Sequence, residues 1–409
     1  MGLFLLAWLT VGFWNAVKPL PPGTHTASAP TRLTDSEVEF LIGREASVVA
    51  RQLALIERAD QLLILDQSPL PRVLAQALLL RKHLKPKLKI IVITDPKNAA
   101  LGGTQPKDVE SLERAGIIVV RVDLDRLRDA TPLYSGLWRM TLSWWSDPFE
   151  ESPGEPSFLA RAREFNHKAD RRQVLVADDG TGGYLSILGA VDASPAILIH
   201  GAPARDVVAS ELQVAAWSAD EDRLPALLPP LPRQAGSIDV RVLSEGAIGT
   251  ALLDAIAAAE RGDALRLAGR ALSDRRCVDA LIAAAARGAQ VQVLLDAIQS
   301  NHYAADDLLR GGAEIRWQVA SPSRMQWLLL HHHSDALMIM STASLTRSDL
   351  ADFNLVDGVE LRMPDRTAMA RNSMEFFAAA WLKATPASVA PAETTGSYWL
   401  YRLREAAGL

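Results

Sequence analysis

The sequence predicts an α/β protein built from two tandem copies of one domain. Strand and helix patterns alternate after residue 32, as in QLLILDQ, PRVLAQALLLRKHL and LKIIVITDP, which favours sheets rich in parallel strands. The same order of elements returns in the second half of the chain. Hydrophobic residues make up 49% of the 409 residues and charged residues 22%, so the chain can bury large cores.

The internal repeat rests on three pairs of segments. Asp60 in RADQLLIL corresponds to Asp263 in RGDALRLA, and Asp95 in IIVITD corresponds to Asp296 in VQVLLD. The third pair is ERAGIIVVRV and RGGAEIRWQV. Segments that keep their order at a nearly constant offset indicate a duplicated domain. Such tandem domains favour a site in the cleft between them, at the strand ends.

Composition also suggests the boundaries of the domains. The stretch PALLPPLPRQAGS is rich in proline and marks a linker between the two copies. We predict an N-terminal hydrophobic anchor and proline-rich tether at 1–32, a first domain at 33–226, a linker at 227–236, a second domain at 237–385 and a C-terminal tail helix at 386–409.

The N-terminal run MGLFLLAWLTVGFWNAV carries no charged side chain, which predicts an uncleaved membrane anchor. It is short for a spanning helix, which needs about 20 apolar residues. Both a spanning and an interfacial helix therefore stay open. The run lacks the basic start of a secretory signal, although a cleaved export signal and a docked apolar helix are alternatives.

The net charge argues against one class of partner, and the cysteine content excludes two kinds of structural site. A net charge of −5 argues against nucleic acid as a general partner, whereas membrane phospholipid and a protein partner stay open. The single cysteine, Cys277, rules out an intramolecular disulfide and a cysteine-based zinc site. We expect no cofactor.

Four segments carry a family resemblance: ITDPKNAALGG, DLDRLRDATPLYSGLWR, LVADDGTG and SLTRSDLADFNL. They resemble the bacterial phospholipase D superfamily, and the resemblance covers nearly the whole chain after the tether. SLTRSDLADFNL is similar almost position by position to that family's NLTRxxLxDFNLE segment. The resemblance implies two phospholipase D-like α/β domains related by a pseudo-twofold axis. With the apolar N-terminus, it implies a protein of the bacterial inner membrane.

Each domain of that family brings one HxKxxxxD motif and a following GSxN turn to a shared cleft. One histidine attacks phosphorus and forms a phosphoenzyme, and the other protonates the leaving alcohol. The lysines and the asparagine hold the phosphate oxygens as charge develops. The resemblance therefore implies phosphodiesterase or phosphatidyltransferase chemistry.

The first motif is degenerate in this chain. Asp178 in LVADDG matches the motif aspartate, which places Arg171 at the histidine position and Gln173 at the lysine position. The turn that corresponds to GSxN reads GAVD at 189–192. Arginine stays protonated and cannot act as a nitrogen nucleophile, and glutamine brings no charge to a phosphate.

The second motif is degenerate as well. Met325 takes the histidine position and Trp327 the lysine position in RMQWLLL. The turn keeps hydroxyl residues at Ser341, Thr342 and Ser344 but has no asparagine. We therefore predict a membrane-associated, catalytically inactive homologue that binds phosphate-bearing ligands or a protein partner. The alternative is an active phospholipase D or cardiolipin synthase-type phosphodiesterase or phosphatidyltransferase that uses non-standard residues.

Two further groups of residues are candidate sites. A basic cluster offers phosphate-binding side chains at His167, Lys168, Arg171 and Arg347, with a solvated loop as the alternative. On a strand, His331, His333 and Asp335 would share one face and offer metal ligands. The alternatives there are a solvated hairpin end and a displaced nucleophile.

Overall fold

A computed structural model of the chain describes residues 2–41, 45–95, 106–142, 168–189, 195–219, 221–227, 229, 235–318, 325–388 and 399. Three predicted features therefore lie wholly or mostly outside the described residues. They are His167, the turn residues 190–192 and most of the tail predicted at 386–409.

The first half of the fold is a seven-stranded sheet with the order β2-β8-β7-β6-β3-β4-β5. Three neighbouring strands, β3, β4 and β5, run parallel, and the other neighbours pair antiparallel. The sheet is therefore mixed, with a smaller parallel part than the alternating pattern favours. Its strands are β2 Val38–Leu41, β3 Leu62–Gln67, β4 Lys89–Thr94, β5 Ile118–Arg121, β6 Gln173–Asp178, β7 Tyr184–Leu188 and β8 Ala196–His200.

The second half is a nine-stranded sheet with the order β1-β9-β15-β14-β13-β10-β11-β12-β16. Its seven inner strands follow one another in the same order as the seven strands of the first sheet, so the predicted duplication is confirmed as topology. Its strands are β1 Thr31–Leu33, β9 Ile238–Ser244, β10 Ala264–Gly269, β11 Gln290–Asp296, β12 Glu314–Gln318, β13 Gln326–His332, β14 Asp335–Ser341, β15 Asp357–Pro364 and β16 Thr385–Pro386.

Helices flank both sheets. They are α1 Gly2–Val17, α2 Glu45–Arg58, α3 Arg72–Leu84, α4 Pro106–Arg114, α5 Pro132–Leu137, α6 Ala202–Ala215, α7 Gly246–Ala258, α8 Arg275–Arg287, α9 Gln299–Arg310, α10 Arg347–Leu350 and α11 Ala368–Lys383. Short 3₁₀ turns lie at Leu124–Arg126 and Glu221–Arg223, and a π turn lies at Trp138–Leu142.

Helix α8 shows how the sequence sets these elements. Asp274 caps its start by accepting a hydrogen bond from the backbone N–H of Arg276, and Gly288 ends it in a left-handed conformation with φ +97°. Apolar residues at helical spacing face the sheet, Cys277 among them. Burial raises the pKa of the Cys277 thiol, so this cysteine is an inert core residue.

The two sheets share a hydrophobic core. One apolar cluster contains Ile64 and Val176 of the first sheet together with Met338 and Val359 of the second. Two smaller clusters fill the outer faces, one in each half. The shared cluster holds the two halves against each other, so the polar groups at their contact lie at fixed positions.

The segment predicted as a tether is docked in the structure. Leu33, expected at the start of the first domain, pairs with Ile238 in the second sheet. Thr26 accepts a hydrogen bond through its carbonyl from the Ser244 N–H, and Ser28 donates to the Val242 carbonyl. These backbone bonds extend the open edge of β9, which explains why a proline-rich stretch is ordered here.

Helix α1 packs against α5 through two glycines. A Cβ on Gly12 would lie 2.0 Å from the Pro132 carbonyl oxygen, and one on Gly136 would lie 2.3 Å from the Trp8 carbonyl oxygen. The indole N–H of Trp8 donates to the Leu133 carbonyl at 2.6 Å. None of the described helices is both long and apolar enough to span a membrane.

Candidate functional site

Asp178 holds the turn that leads into β3. It lies at the end of β6, is buried, and accepts hydrogen bonds from the backbone N–H groups of Asp60, Gln61 and Leu62 at 2.8–3.0 Å. Three such donors satisfy a buried carboxylate. The second half uses a different arrangement, because Asp263 accepts from the Glu260 N–H and contacts His332 at the end of β13.

Arg171 lies in the segment before β6, which contacts the second half. Its Nη1 donates to Asp349 Oδ2 at 2.9 Å and to Ser344 Oγ at 3.3 Å. The side chain is 36% exposed, whereas that of Asp349 is fully buried. In the described part of the chain, Nε and Nη2 of Arg171 make no hydrogen bond. This half-exposed guanidinium therefore has two donor groups, Nε and Nη2, that no described residue occupies.

The carboxylate that holds Arg171 belongs to the SLTRSDLADFNL segment. Asp349 also accepts from the Ser344 N–H at 2.7 Å and from Asn354 Nδ2 at 2.6 Å. Asn354 Oδ1 in turn accepts from the Ala169 N–H at 2.8 Å. The segment that carries the family resemblance thus binds the two halves together and orients Arg171.

Gln173 is buried at the start of β6. Its N–H donates to Asp357 Oδ1 at 2.9 Å, and its amide Nε2 donates to the Ser68 carbonyl at 3.4 Å. Thr342 contacts the same carboxylate, since its Oγ1 donates to Asp357 Oδ1 at 2.7 Å. Gln173 and Thr342 therefore serve the contact between the halves.

The two residues predicted at the motif positions of the second half lie in the core. Met325 and Trp327 are each only 3% exposed and belong to the apolar cluster shared by the sheets. The Trp327 ring packs against Phe376 and Phe377 of α11 with centroid distances of 5.8 and 5.5 Å. Ser341, the first turn position, is buried opposite Gln326. Neither Met325 nor Trp327 supplies a nucleophile for phosphorus or a cation for phosphate.

Lys168 is a structural residue rather than an exposed phosphate ligand. It is buried, its Nζ donates to the Leu127 carbonyl at 2.6 Å, and it forms an ion pair with Asp129 at 2.5 Å. Burial lowers the pKa of Lys168 to about 8, although Asp129 opposes the shift. Because Asp129 neutralises the ammonium, the prediction that Lys168 meets a ligand is corrected. Arg347 begins the short helix α10 and is half-buried.

The histidine group does not share one strand face. β13 ends at His332, and His333 takes a left-handed turn conformation with φ +53°, so the alternation required for metal binding breaks. No group of three or more His, Cys, Asp or Glu in the described ranges is arranged to hold a metal ion. Six residue steps of about 3.3 Å separate His331 from Met325, so these histidines lie about 20 Å along the strand from the predicted motif position.

Sequence reasoning missed the buried ionic cluster around Arg172. This side chain is 1% exposed and donates to Glu211 Oε1 at 3.0 Å, to Glu245 Oε1 at 2.8 Å and to the Gly23 carbonyl at 3.0 Å. It thus joins the first half, the second half and the N-terminal segment. The charges of Glu245 and Glu211 outweigh burial and raise the pKa of Arg172 well above its ordinary value.

One sequence signal for this cluster existed. Val207, Glu211, Val214 and Ala215 share the buried face of α6, so an acid interrupts an otherwise apolar helical stripe. An acid on such a face needs a buried partner. Nothing local identifies Arg172 as that partner, because the two residues are far apart in the chain.

Comparison with known proteins identifies the fold. No family model matches the chain, and no curated protein matches it in sequence. Phosphatidylserine synthase from Haemophilus influenzae Rd KW20 superposes with a TM-score of 0.58 over 97% of this chain and 96% of that chain, at 11% identity. Polyphosphate kinase from Porphyromonas gingivalis gives a TM-score of 0.50 over 90% of this chain and 52% of that chain, at 12% identity.

A shorter protein, the phospholipase D family member Nuc from Salmonella typhimurium, matches 37% of this chain and 98% of its own with a TM-score of 0.32, at 15% identity. The full-length superposition on phosphatidylserine synthase, together with the duplicated sheet order, shows that the chain has a phospholipase D-like fold.

Proposed function

We propose that this phospholipase D-like protein is a catalytically inactive homologue that binds a phosphate-bearing ligand through Arg171. The observation that supports the proposal is the environment of the four residues predicted at the motif positions. Nε and Nη2 of Arg171 have no acceptor among the described residues, and this side chain is 36% exposed. Met325 and Trp327 are buried in the core, and Gln173 makes hydrogen bonds at the contact between the halves. A fixed guanidinium suits bidentate binding of phosphate oxygens but supplies no nucleophile.

Substitution of Arg171 by Gln is expected to weaken the binding of inorganic phosphate and glycerol phosphate about tenfold or more, since a hydrogen bond to a charged group contributes about 1.5–3 kcal/mol. Isothermal titration calorimetry on the full chain measures the affinity. Arg121→Gln is the matched control, because Arg121 is an exposed arginine that is paired with Glu113 and lies on β5 at the edge of the first sheet. Equal affinities for the wild type and Arg171→Gln would contradict the proposal.

The phosphate can belong to a free metabolite or to a lipid headgroup, and the experiment separates the two sources. Vesicles of phosphatidylglycerol in phosphatidylcholine provide the lipid arm. If vesicle binding depends on Arg171 and free glycerol phosphate does not bind, the ligand is a headgroup. If free phosphate compounds bind with Arg171-dependent affinity and vesicles do not, the ligand is soluble.

We also propose that α1 lies in the interface of a membrane. Its stripe Leu3, Leu6, Thr10, Phe13 and Val17 is exposed at helical spacing, with Leu3 85% and Val17 67% exposed. The opposite stripe, with Trp8 and Gly12, packs on α5. A helix without charged side chains that exposes such a stripe fits the boundary between headgroups and acyl chains.

Leu6→Glu is expected to reduce the fraction of protein that floats with phosphatidylglycerol vesicles, because a charge on the exposed stripe opposes burial in lipid. The matched control is Leu84→Glu on α3, where the leucine is 62% exposed against 63% for Leu6. Equal flotation of Leu6→Glu and wild type would rule out this face of α1 as the lipid contact.

A further inference from the structure

Several carboxyl groups are buried at the contact between the halves without enough donors. Arg172 is the only cation in the described part of the chain that forms an ion pair with any of them. Four of the acids have at least one buried oxygen without a hydrogen-bond donor among the described residues. These oxygens are both carboxyl oxygens of Asp66, Oδ2 of Asp170, Oε2 of Glu211 and Oδ2 of Asp357.

Asp66 lacks more hydrogen-bond donors than the other three acids, because neither of its carboxyl oxygens has a donor among the described residues. This residue lies in β3 and is fully buried. Glu211 on α6 is one of the acids whose charge acts on it. Two ionised carboxylates are both acceptors, so a hydrogen bond between them requires one proton. Glu211 Oε1 already accepts from Arg172, which leaves Oε2 as the acceptor for that proton.

We propose that Asp66 carries a proton at neutral pH and shares it with Glu211, and that this proton makes the contact between the two halves a pH-sensitive clasp. The proton removes one negative charge from a site with a single cation. It also leaves Glu211 free to hold Arg172, which reaches across to Glu245 in the second half. Loss of the proton would place two adjacent buried carboxylates beside one guanidinium, which burial opposes strongly.

The surrounding charges also favour the protonated form of Asp66. Burial, then the charges of Asp170 and Glu211, raise the pKa of Asp66 well above its ordinary value, and Arg172 only partly opposes this. Burial likewise raises the pKa of Asp170, which also faces Asp95 and Arg172.

The acids on the second half behave similarly. Burial raises the pKa of Glu245 despite Arg172, and it raises the pKa of Asp357 to about 6 despite hydrogen bonds from Thr342 and the Gln173 N–H. All these groups hold protons more tightly in the folded state than in the unfolded state. Their stabilising contribution is complete below the ordinary pKa of an acid and is lost as the pH rises through the folded pKa.

The test compares the pH dependence of unfolding in the wild type and in Asp66→Asn. Each proton held only by the folded state raises the unfolding constant about tenfold per pH unit above the unfolded pKa. An asparagine amide can donate to Glu211 without a titrating proton. Denaturant unfolding of the full chain between about pH 6 and pH 8 measures how the free energy of unfolding depends on pH. We expect this dependence to be less steep in Asp66→Asn, by about one proton.

Asp178→Asn is the control, because Asp178 is another buried aspartate of the first sheet but accepts three backbone N–H bonds. It should lose stability and keep the wild-type slope. An unchanged slope in Asp66→Asn would overturn the proposal. If that variant does not fold, carboxyl ¹³C NMR of the wild type decides: an Asp66 signal at the position of a protonated acid near neutral pH supports the proposal, and one at the position of a carboxylate overturns it.

Discussion

Arg172→Met is expected to lower the free energy of unfolding by about 3–5 kcal/mol, the cost of removing one partner from a buried ion pair. Methionine fills much of the volume, but it leaves Glu211 and Glu245 without the guanidinium that both of them contact. It also removes the donor to the Gly23 carbonyl, so the N-terminal segment loses one of its attachments to the first half. The loss should shrink at low pH, where Glu245, whose pKa is raised by burial, can take up a proton.

Denaturant unfolding followed by circular dichroism measures this effect. Arg121→Met is the control, since its pair with Glu113 has side chains 51% and 40% exposed and such surface pairs contribute at most about 1 kcal/mol. A loss in Arg172→Met no greater than in Arg121→Met would show that the buried cluster does not hold the halves together.

The fold was predictable because its signals are periodic and repeated. Alternating strand and helix patterns and the matched pairs around Asp60 and Asp263 gave the duplicated α/β arrangement. The docking of residues 24–33 was not predictable in the same way. Prolines indicate a stiff segment, but whether it pairs with the edge of β9 depends on that edge being open, which is a property of the assembled sheet.

The candidate site was predictable only in part. The register of the first motif placed Arg171 and Asp178 on β6 and the segment before it, and the structure shows what each side chain contacts. The sequence could not distinguish the role of Lys168 from that of Arg171. Lys168 forms an ion pair with Asp129 and Arg171 forms one with Asp349, and both acids are distant in the chain. A basic side chain that is buried against such an acidic partner stabilises the fold and does not face a ligand.

The docked N-terminus also changes how the membrane proposal should be tested. Removing the whole of α1 would expose the surface of α5 that Trp8 and Gly12 cover, so lost membrane binding and lost packing would be confounded. Substitution on the exposed stripe leaves this packing in place.

The second large effect that we expect is the absence of catalytic activity, which follows from the proposed function. Loss of the nucleophile of a hydrolase lowers kcat by about a millionfold, and binding alone does not replace it. A guanidinium such as that of Arg171 offers no nitrogen nucleophile, and Met325 and Trp327 are buried and carry no group that can transfer a proton. Restoring the motif by Trp327→Lys would bury a charge among Phe376 and Phe377, so failure of that restored variant would carry no information.

The most direct measurement is the hydrolysis of bis(p-nitrophenyl) phosphate and of phosphatidylglycerol by the purified full chain. The wild type should hydrolyse both at the rate of a blank without protein, while binding phosphate in a manner that depends on Arg171. Hydrolysis above the blank that is abolished by His167→Gln, or by glutamine at His331, His332 and His333 together, would contradict the account and assign catalysis to a displaced histidine.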